Sequence, residues 1–102
     1  MRKGYRNTLM RQLRDKVSLG LNTFAIGAQI LSVQSVTEVD DPAADAAAEM
    51  RFAEDPCGNG YVVNLDDGQV AFIDDGAGRR FNLGSDLRAF VDALEARQEP
   101  WH

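Results

Sequence analysis

Residues 52–94 read FAEDPCGNGYVVNLDDGQVAFIDDGAGRRFNLGSDLRAFVDAL, and this stretch decides the fold of the chain. Glycine-containing turns separate three short apolar runs at 61–65, 69–74 and 79–83. The dipeptide Asp67-Gly68 favours a type I′ hairpin turn, in which both central residues have positive φ. Apolar residues fall on both faces of the runs, which is typical of strands covered on both sides. The stretch therefore predicts an antiparallel β-meander.

An amphipathic helix follows the third run. Ser85 suits the N-cap position, and Asp86 is favourable near the positive end of a helix. Apolar residues recur at the spacing of one buried helical face, at Leu87, Phe90, Val91 and Leu94. Glu99-Pro100 ends the helix, because proline cannot continue the hydrogen-bond ladder. We therefore expect this helix to pack on the sheet.

The residues before the meander predict a loop and a second helix. One proline and two glycines within residues 55–60 indicate a loop. Residues 43–52 are rich in alanine and have high helix propensity, and Asp40-Asp41-Pro42 suits the start of a helix. Met50 and Phe52 are the only large apolar residues of this segment. We therefore expect a short Ala-rich helix at the surface.

The first third of the chain predicts one helix and an extended run. Residues 5–17 carry an apolar stripe at helical spacing, formed by Tyr5, Leu9, Leu13 and Val17. Three arginines lie off this stripe and are expected in solvent: Arg6, Arg11 and Arg14. Gly20 suits the end of the helix. Residues 23–37 favour strand, because they are rich in Ile and Val and partly alternate. The alternation breaks at Ile30-Leu31, which suggests a bulge or two strands with a bend, and Gly27 weakens the middle of the run.

These elements predict one α+β domain over residues 1–102. Its sheet is an antiparallel β-meander of three to five strands, with an N-terminal helix, a short Ala-rich helix and a C-terminal helix packed on the sheet. A chain of 102 residues can bury a core without disulfides or metals. Its single cysteine, Cys57, excludes an intramolecular disulfide framework and fits a reducing compartment. We therefore expect a cytoplasmic protein.

The charge is distributed unevenly along the chain. Residues 1–16 hold six Lys and Arg against one Asp, whereas the remaining 86 residues hold five Arg against fifteen Asp and Glu. The segments therefore carry +5 and −10, and the whole chain carries −5. The acidic body would repel phosphates, so we expect no direct nucleic-acid binding. The uncharged stretch 17–37 is too polar for a membrane helix, although the basic head leaves anion or anionic-membrane binding open.

The sequence offers no assembled catalytic or metal centre. A nucleophilic cysteine needs a base, and the only histidine is His102, the last residue. A Ser-His-Asp triad and a His-based zinc site are excluded for the same reason. Residues 55–66 have the length of a calcium loop, but Cys57 and Asp66 fit its third and twelfth positions poorly. We expect no cofactor, and a small metal-dependent hydrolase built on carboxylates is kept as an alternative.

Residues 52–65, FAEDPCGNGYVVNL, resemble the SUKH superfamily pattern, in which an acidic, Gly-Asn-containing turn leads into an apolar strand. Residues 67–74 resemble the second hairpin strand of that family, and residues 87–94 resemble its closing helix. The N-terminal helical region of the family has no clear counterpart in residues 1–40. The resemblance implies an α+β binding scaffold. Many bacterial members act as immunity proteins that neutralise a cognate toxin, often a nuclease.

We therefore expect a non-enzymatic, immunity-protein-like inhibitor that contacts a basic protein partner, such as a toxin or a nucleic-acid-binding protein. The expected contact residues are Glu54, Asp55, Asp66, Asp67, Asp74 and Asp75, with Arg79 and Arg80 as a local basic pair. A phage-type inhibitor of a nucleic-acid-handling complex, anti-CRISPR-like, is the alternative, with the acids standing in for phosphates. A homodimer is also open, because Phe24, Ile26, Ile30 and Val33 could pair across an uncovered edge strand.

Overall fold

A computed structural model describes residues 3–37 and 48–97. The helices are α1 (Lys3–Ser18) and α2 (Leu87–Ala93). The strands are β1 (Leu21–Ile26), β2 (Gln29–Ser32), β3 (Ser35–Val36), β4 (Glu49–Glu54), β5 (Gly60–Asn64), β6 (Gln69–Asp74), β7 (Arg79–Asp86) and β8 (Glu95–Ala96).

The strands form two antiparallel sheets, which confirms the predicted α+β class and the β-meander. One sheet has the order β3-β4-β5-β6-β7, and the other has the order β2-β1-β8. The pairings Val62↔Ala71 and Phe72↔Phe81 fix the register of the meander. The division into two sheets was not predicted, because the pairing of β8 with β1 joins residues more than 70 positions apart.

Helix α1 covers the predicted residues, but its buried face is rotated from the predicted stripe. Leu9 and Leu13 are fully buried, as expected, whereas Tyr5 is 48 % exposed. Met10 and Arg6 are buried instead, so the prediction that Arg6 lies in solvent was wrong. Arg6 is only 3 % exposed, so its guanidinium is buried together with its aliphatic stem. A buried charged group needs polar partners inside the fold, which a pattern of residue types does not reveal.

The extended run at 23–37 is three strands, where the sequence pattern left open one bulged strand or two strands with a bend. Gly27 has φ +59° and forms a two-residue hairpin turn with Ala28, between the paired residues Ile26 and Gln29. A positive φ at the first central residue matches a type II′ turn, which favours glycine there. The glycine therefore reverses the chain, where the pattern suggested only a weak point in a strand.

The predicted Ala-rich helix was wrong where the structure describes it. Residues 49–54 form strand β4, which lies between β3 and β5 and buries Met50 and Phe52 in the core. Residues 43–47 lie outside the described residues. Pairing on both sides and the burial of these two side chains outweigh the local helix propensity, which is a weak preference that tertiary context overrides.

Helix α2 buries the predicted face, since Leu87, Phe90, Val91 and Leu94 are all buried. Its N-cap is Asp86 and not Ser85, and the Asp86 carboxylate accepts a hydrogen bond from the Ala89 amide at 2.8 Å. The helix also ends earlier than predicted, at Ala93, where the extended backbone of Leu94 leads into β8.

Four aromatic rings at the centre join the two sheets and α2. The Phe90 ring centroid lies 4.9 Å from that of Phe24, 5.7 Å from that of Phe52 and 5.5 Å from that of Tyr61. The Tyr61 hydroxyl donates a hydrogen bond of 2.6 Å to the Ser32 carbonyl, which links β5 to the smaller sheet. Burial raises the pKa of this hydroxyl well above its usual range.

We expect Phe90→Ala to lower the free energy of unfolding by about 3–5 kcal/mol, because it empties a fully buried site that three other rings line. Urea denaturation would measure the loss. Tyr5→Ala is the matched control: Tyr5 is half exposed, so its truncation should cost less than about 1 kcal/mol. Equal losses for the two variants would contradict the central role of Phe90.

Candidate functional site

The structure divides the predicted acidic surface between the two ends of the larger sheet. Successive strands of a meander run in opposite directions, so the 55–59 loop and the 75–78 turn lie at one end, which we call the loop end. The 65–68 turn and the start of α2 lie at the other, the α2 end. Glu54, Asp55, Asp74, Asp75 and Arg79 lie at the loop end, and Asp66 and Asp67 lie at the α2 end.

Two of the loop-end acids shape the backbone. One Asp55 carboxylate oxygen accepts hydrogen bonds from the Cys57 and Asn59 amides at 2.9 and 2.8 Å. The other accepts one from the Asn59 side chain at 3.1 Å. Asp74 accepts one from the Ala77 amide at 3.1 Å. Short acidic side chains commonly stabilise turns in this way, so these two carboxylates serve the fold first.

Arg51 neutralises the other two loop-end acids. Its guanidinium lies 2.9 Å from the Asp75 carboxylate and 3.6 Å from that of Glu54, and it donates a 2.9 Å hydrogen bond to the Gly58 carbonyl. The hydrogen bond that the Arg51 guanidinium donates to the Asp75 carboxylate raises the pKa of Arg51. A Cβ atom at Gly60 would overlap the Arg51 guanidinium, so this glycine gives the arginine its path across β5.

Arg80, one of the predicted partner contacts, forms an ion pair within the sheet. Its guanidinium lies 2.8 Å from the Glu49 carboxylate, although two strands separate β7 from β4. The hydrogen bond from Arg80 lowers the pKa of Glu49 below its ordinary 4.5. Arg79 is exposed, and no described acid lies within ion-pair distance of it.

Arg51 and Arg80 cover the outer face of the larger sheet, which is the face turned away from the aromatic core. Val62 and Ala71 face away from the aromatic core, yet they are only 7 % and 1 % exposed. The Arg80–Glu49 pair crosses the strands that carry these two residues, and the Arg51 side chain lies beside them on β4. The sequence predicted strands that are covered on both faces. On this outer face, long charged side chains provide the cover.

A different arrangement is found at the α2 end. A recess of about 190 Å³ has apolar walls formed by Tyr5, Leu9 and Leu87. Its polar lining is formed by Asp66, Asp67, Gly68, Asp86 and Arg88. Asp86 comes to this site because the Leu87 amide donates a 2.9 Å hydrogen bond to the Gly68 carbonyl, which holds the start of α2 against the turn. Asp66, Asp67 and Asp86 make no ion pair within the described part of the chain.

The turn that presents Asp66 and Asp67 is not of the predicted type I′. Gly68 has φ +76°, but no non-glycine residue among those described has a positive φ, so Asp67 does not meet the requirement. The Asn64 side chain instead accepts hydrogen bonds from the Asp66 and Asp67 amides at 2.8 and 3.2 Å. Asp67 accepts one from the Gln69 amide at 2.9 Å, which leaves its second oxygen available.

This recess suits a lysine or arginine side chain from another molecule. The aliphatic stem of such a side chain can lie on Tyr5 and Leu87, while its charged head meets the carboxylates. Arg88 lines the recess but is engaged by Asp92 at 3.1 Å. The sequence pattern missed Tyr5 and Asp86 as site residues, because one was assigned to the core and the other to the helix start. An incompletely buried tyrosine is visible only in the folded chain.

The described residues contain no group of three His, Cys, Asp or Glu side chains placed to hold a metal ion. Cys57 is exposed, and His102 lies outside the described part of the chain. Neither of the two described helices is both long enough and apolar enough to cross a membrane.

Comparison of the chain with protein-family models, with curated proteins and with solved structures finds no match. The function is therefore inferred from the chemistry of the two ends of the sheet.

Gly60→Ala should lower the free energy of unfolding by about 0.5–1 kcal/mol, because the added methyl displaces the Arg51 guanidinium from partly exposed ion pairs. In an Arg51→Ala background the same glycine substitution should have almost no effect, because the overlapping group is gone. A double-mutant cycle by urea denaturation measures this coupling. Additive effects of the two substitutions would show that Gly60 is needed for another reason.

The Glu49–Arg80 pair should make a small, pH-dependent contribution to stability. The folded pKa of Glu49 is lowered, so the stabilisation is present above its ordinary 4.5 and is lost as the pH falls through the lowered value. Both side chains are partly exposed, so Glu49→Gln should cost less than about 1 kcal/mol at neutral pH, and nothing in strong acid. Unfolding curves across this pH range would test it.

Proposed function

We propose that the protein is a non-enzymatic inhibitor that binds a basic protein partner through the α2 end, in the manner of an immunity protein. The observation that carries the proposal is the recess at that end, where Asp66, Asp67 and Asp86 surround apolar walls. A cationic side chain of the partner supplies the charge that this group of carboxylates lacks within the described chain. Binding of this kind needs no catalytic group.

The α2 end is favoured over the loop end because their carboxylates differ in what they already bind. At the loop end, Arg51 engages Asp75 and Glu54, and turn amides engage Asp55 and Asp74. At the α2 end, Asp67 and Asp86 each accept one backbone hydrogen bond, and Asp66 is exposed. A carboxylate that already pairs with a cation has less to gain from a second one, so the unpaired group is the stronger contact for a basic partner.

The charge of the whole chain supports the same partner class. Residues 17–102 carry −10, so the surface attracts a basic protein and repels nucleic acid. Such attraction chiefly accelerates association and selects partners by charge, and salt screens it over about 8–10 Å. A protein with a basic nucleic-acid-binding groove has the complementary charge. The resemblance of residues 52–65 to the SUKH superfamily implies the same kind of partner and supports the proposal.

Affinity purification followed by mass spectrometry should recover a stoichiometric basic protein. With that partner in hand, Asp66→Asn/Asp67→Asn should weaken binding by about tenfold, which is about 1.4 kcal/mol. Asparagine at position 67 retains a side-chain oxygen that can accept the hydrogen bond from the Gln69 amide, so the turn should stay intact. Calorimetry at two salt concentrations would measure both the loss and its screening.

The matched control is Asp15→Asn/Glu95→Gln, which removes the same amount of charge from exposed positions outside the recess. Its affinity should stay within about twofold of the wild type, because distant exposed charges are largely screened. If both double variants weaken binding equally, the loss reflects net charge alone and contradicts a specific site at the α2 end. Unchanged binding by Asp66→Asn/Asp67→Asn would also refute the α2-end site.

A further inference from the structure

Each of the two sheets has two edge strands, and three of these four edges carry features that discourage pairing with another chain. Strands β3 and β8 have only two residues each, and β8 includes Glu95. Strand β7 begins with Arg79 and Arg80, and its register with β6 shifts near Gly84, which has φ +67°. Shortness, charge and bulges are the usual protections of an exposed edge.

Strand β2 is the exception. Its four residues, Gln29–Ser32, contain no charge and no proline, and they pair with β1 in unbroken register. Ile30 is 65 % exposed, which is unusual for a large apolar side chain on a strand. Among the described strands, β2 is hydrogen-bonded to β1 alone. An apolar, unprotected edge of this kind is suited to accept another strand.

The hydrogen-bond pattern shows which backbone groups face outward. The Val33 amide donates to the Asn22 carbonyl at 2.9 Å, so this opposed pair is hydrogen-bonded. Antiparallel pairs alternate between bonded and non-bonded, which makes Phe24↔Leu31 bonded and Ala25↔Ile30 non-bonded. The N–H and C=O of Ile30 therefore point away from β1. The N–H and C=O of Ser32 also point away from β1. On that side the Ser32 carbonyl already accepts a hydrogen bond from the Tyr61 hydroxyl.

Space is available beside this edge. A groove of about 640 Å³ is lined on one side by Ile26 of β1 and by Gln29, Ile30 and Leu31 of β2, and on the other by residues of β6 and β7 that include Phe81. Consecutive residues of a strand point to opposite faces, so a groove that Gln29, Ile30 and Leu31 all line reaches the edge of β2. Phe81 is 44 % exposed and adds apolar surface for an incoming strand.

We propose that β2 pairs with β2 of a second copy of this chain, antiparallel, across a two-fold axis at Ile30. In this register the two Ile30 residues exchange both of their outward N–H···O=C bonds. A register centred on Ser32 would compete with the Tyr61 hydroxyl for the Ser32 carbonyl. The two isoleucine side chains would lie side by side, and such β-branched cross-strand pairs are favourable.

Charge selects a second copy over an acidic or basic partner strand. The stretch from residue 17 to residue 37 contains no charged residue, so it offers no complement to a charged segment. Two chains of net charge −5 repel each other over most of their surface, and they approach with least repulsion where both are neutral. Pairing at β2 leaves the α2-end recess outside the interface, so this proposal does not rest on the proposed function.

Light scattering after size exclusion would test the dimer. The wild type should show twice the chain mass of 11.2 kDa at high concentration. Ile30→Lys should weaken dimerisation at least tenfold, because it places like charges opposite each other at the axis. Ile30→Pro should do the same by removing the outward N–H, which β1 does not use. Leu19→Lys is the control, because Leu19 is 76 % exposed and lies outside the groove.

Leu19→Lys should keep the wild-type dissociation constant, and circular dichroism would show that each variant is folded. If Ile30→Pro unfolds, Ile30→Lys decides the question, because a side chain that is mostly exposed tolerates lysine. A wild-type protein that stays monomeric at roughly 1 mM would overturn the proposal, since only association weaker than about 4 kcal/mol would escape detection there. A dimer that both Ile30 variants leave unchanged would overturn it equally.

Discussion

The structure depends on burying one aromatic cluster between two sheets, of which the smaller could not be stable alone. Phe24 comes from the small sheet, Phe52 and Tyr61 from the large sheet, and Phe90 from α2. A three-stranded sheet that includes a two-residue strand buries too little surface by itself, so its stability derives from these ring contacts. The Tyr61 hydroxyl satisfies the Ser32 carbonyl at the junction, which keeps a polar group paired beside the core.

The opposite face of the large sheet is closed by different means, and this determines the charge pattern of the molecule. Arg51 and Arg80 lie over it and engage Asp75 and Glu49. Arg51 therefore reduces the negative charge at the loop end, where it engages Asp75 and Glu54. The acids around the start of α2 have no such partners in the described chain, so the fold concentrates usable negative charge at one end.

The charged and uncharged surfaces are also kept apart. The α2-end recess lies where β5 turns into β6, whereas the neutral β1–β2 hairpin belongs to the other sheet. A partner attracted by charge and a second copy paired at β2 would therefore use separate surfaces. Each copy of such a dimer would retain its own acidic recess, which gives two binding sites for a basic partner.

The sequence by itself determined the elements whose patterns are formed by residues close together in the chain and match the side chains that the fold buries. The meander from 60 to 83 follows from alternating apolar runs and glycine turns, and the buried face of α2 follows from its helical spacing. For the same reason the acidic turns could be read directly from the residue order.

Tertiary structure alone decided what depends on residues far apart in the chain. Residues 49–54 became a strand because two neighbours pair with them, although the alanines before them favour a helix. The predicted acids were separated because adjacent turns of a meander lie at opposite ends of a sheet. Asp86 joined Asp66 and Asp67 because packing of α2 brought it there. Local propensity is worth a few tenths of a kcal/mol per residue, and burial with strand pairing outweighs it.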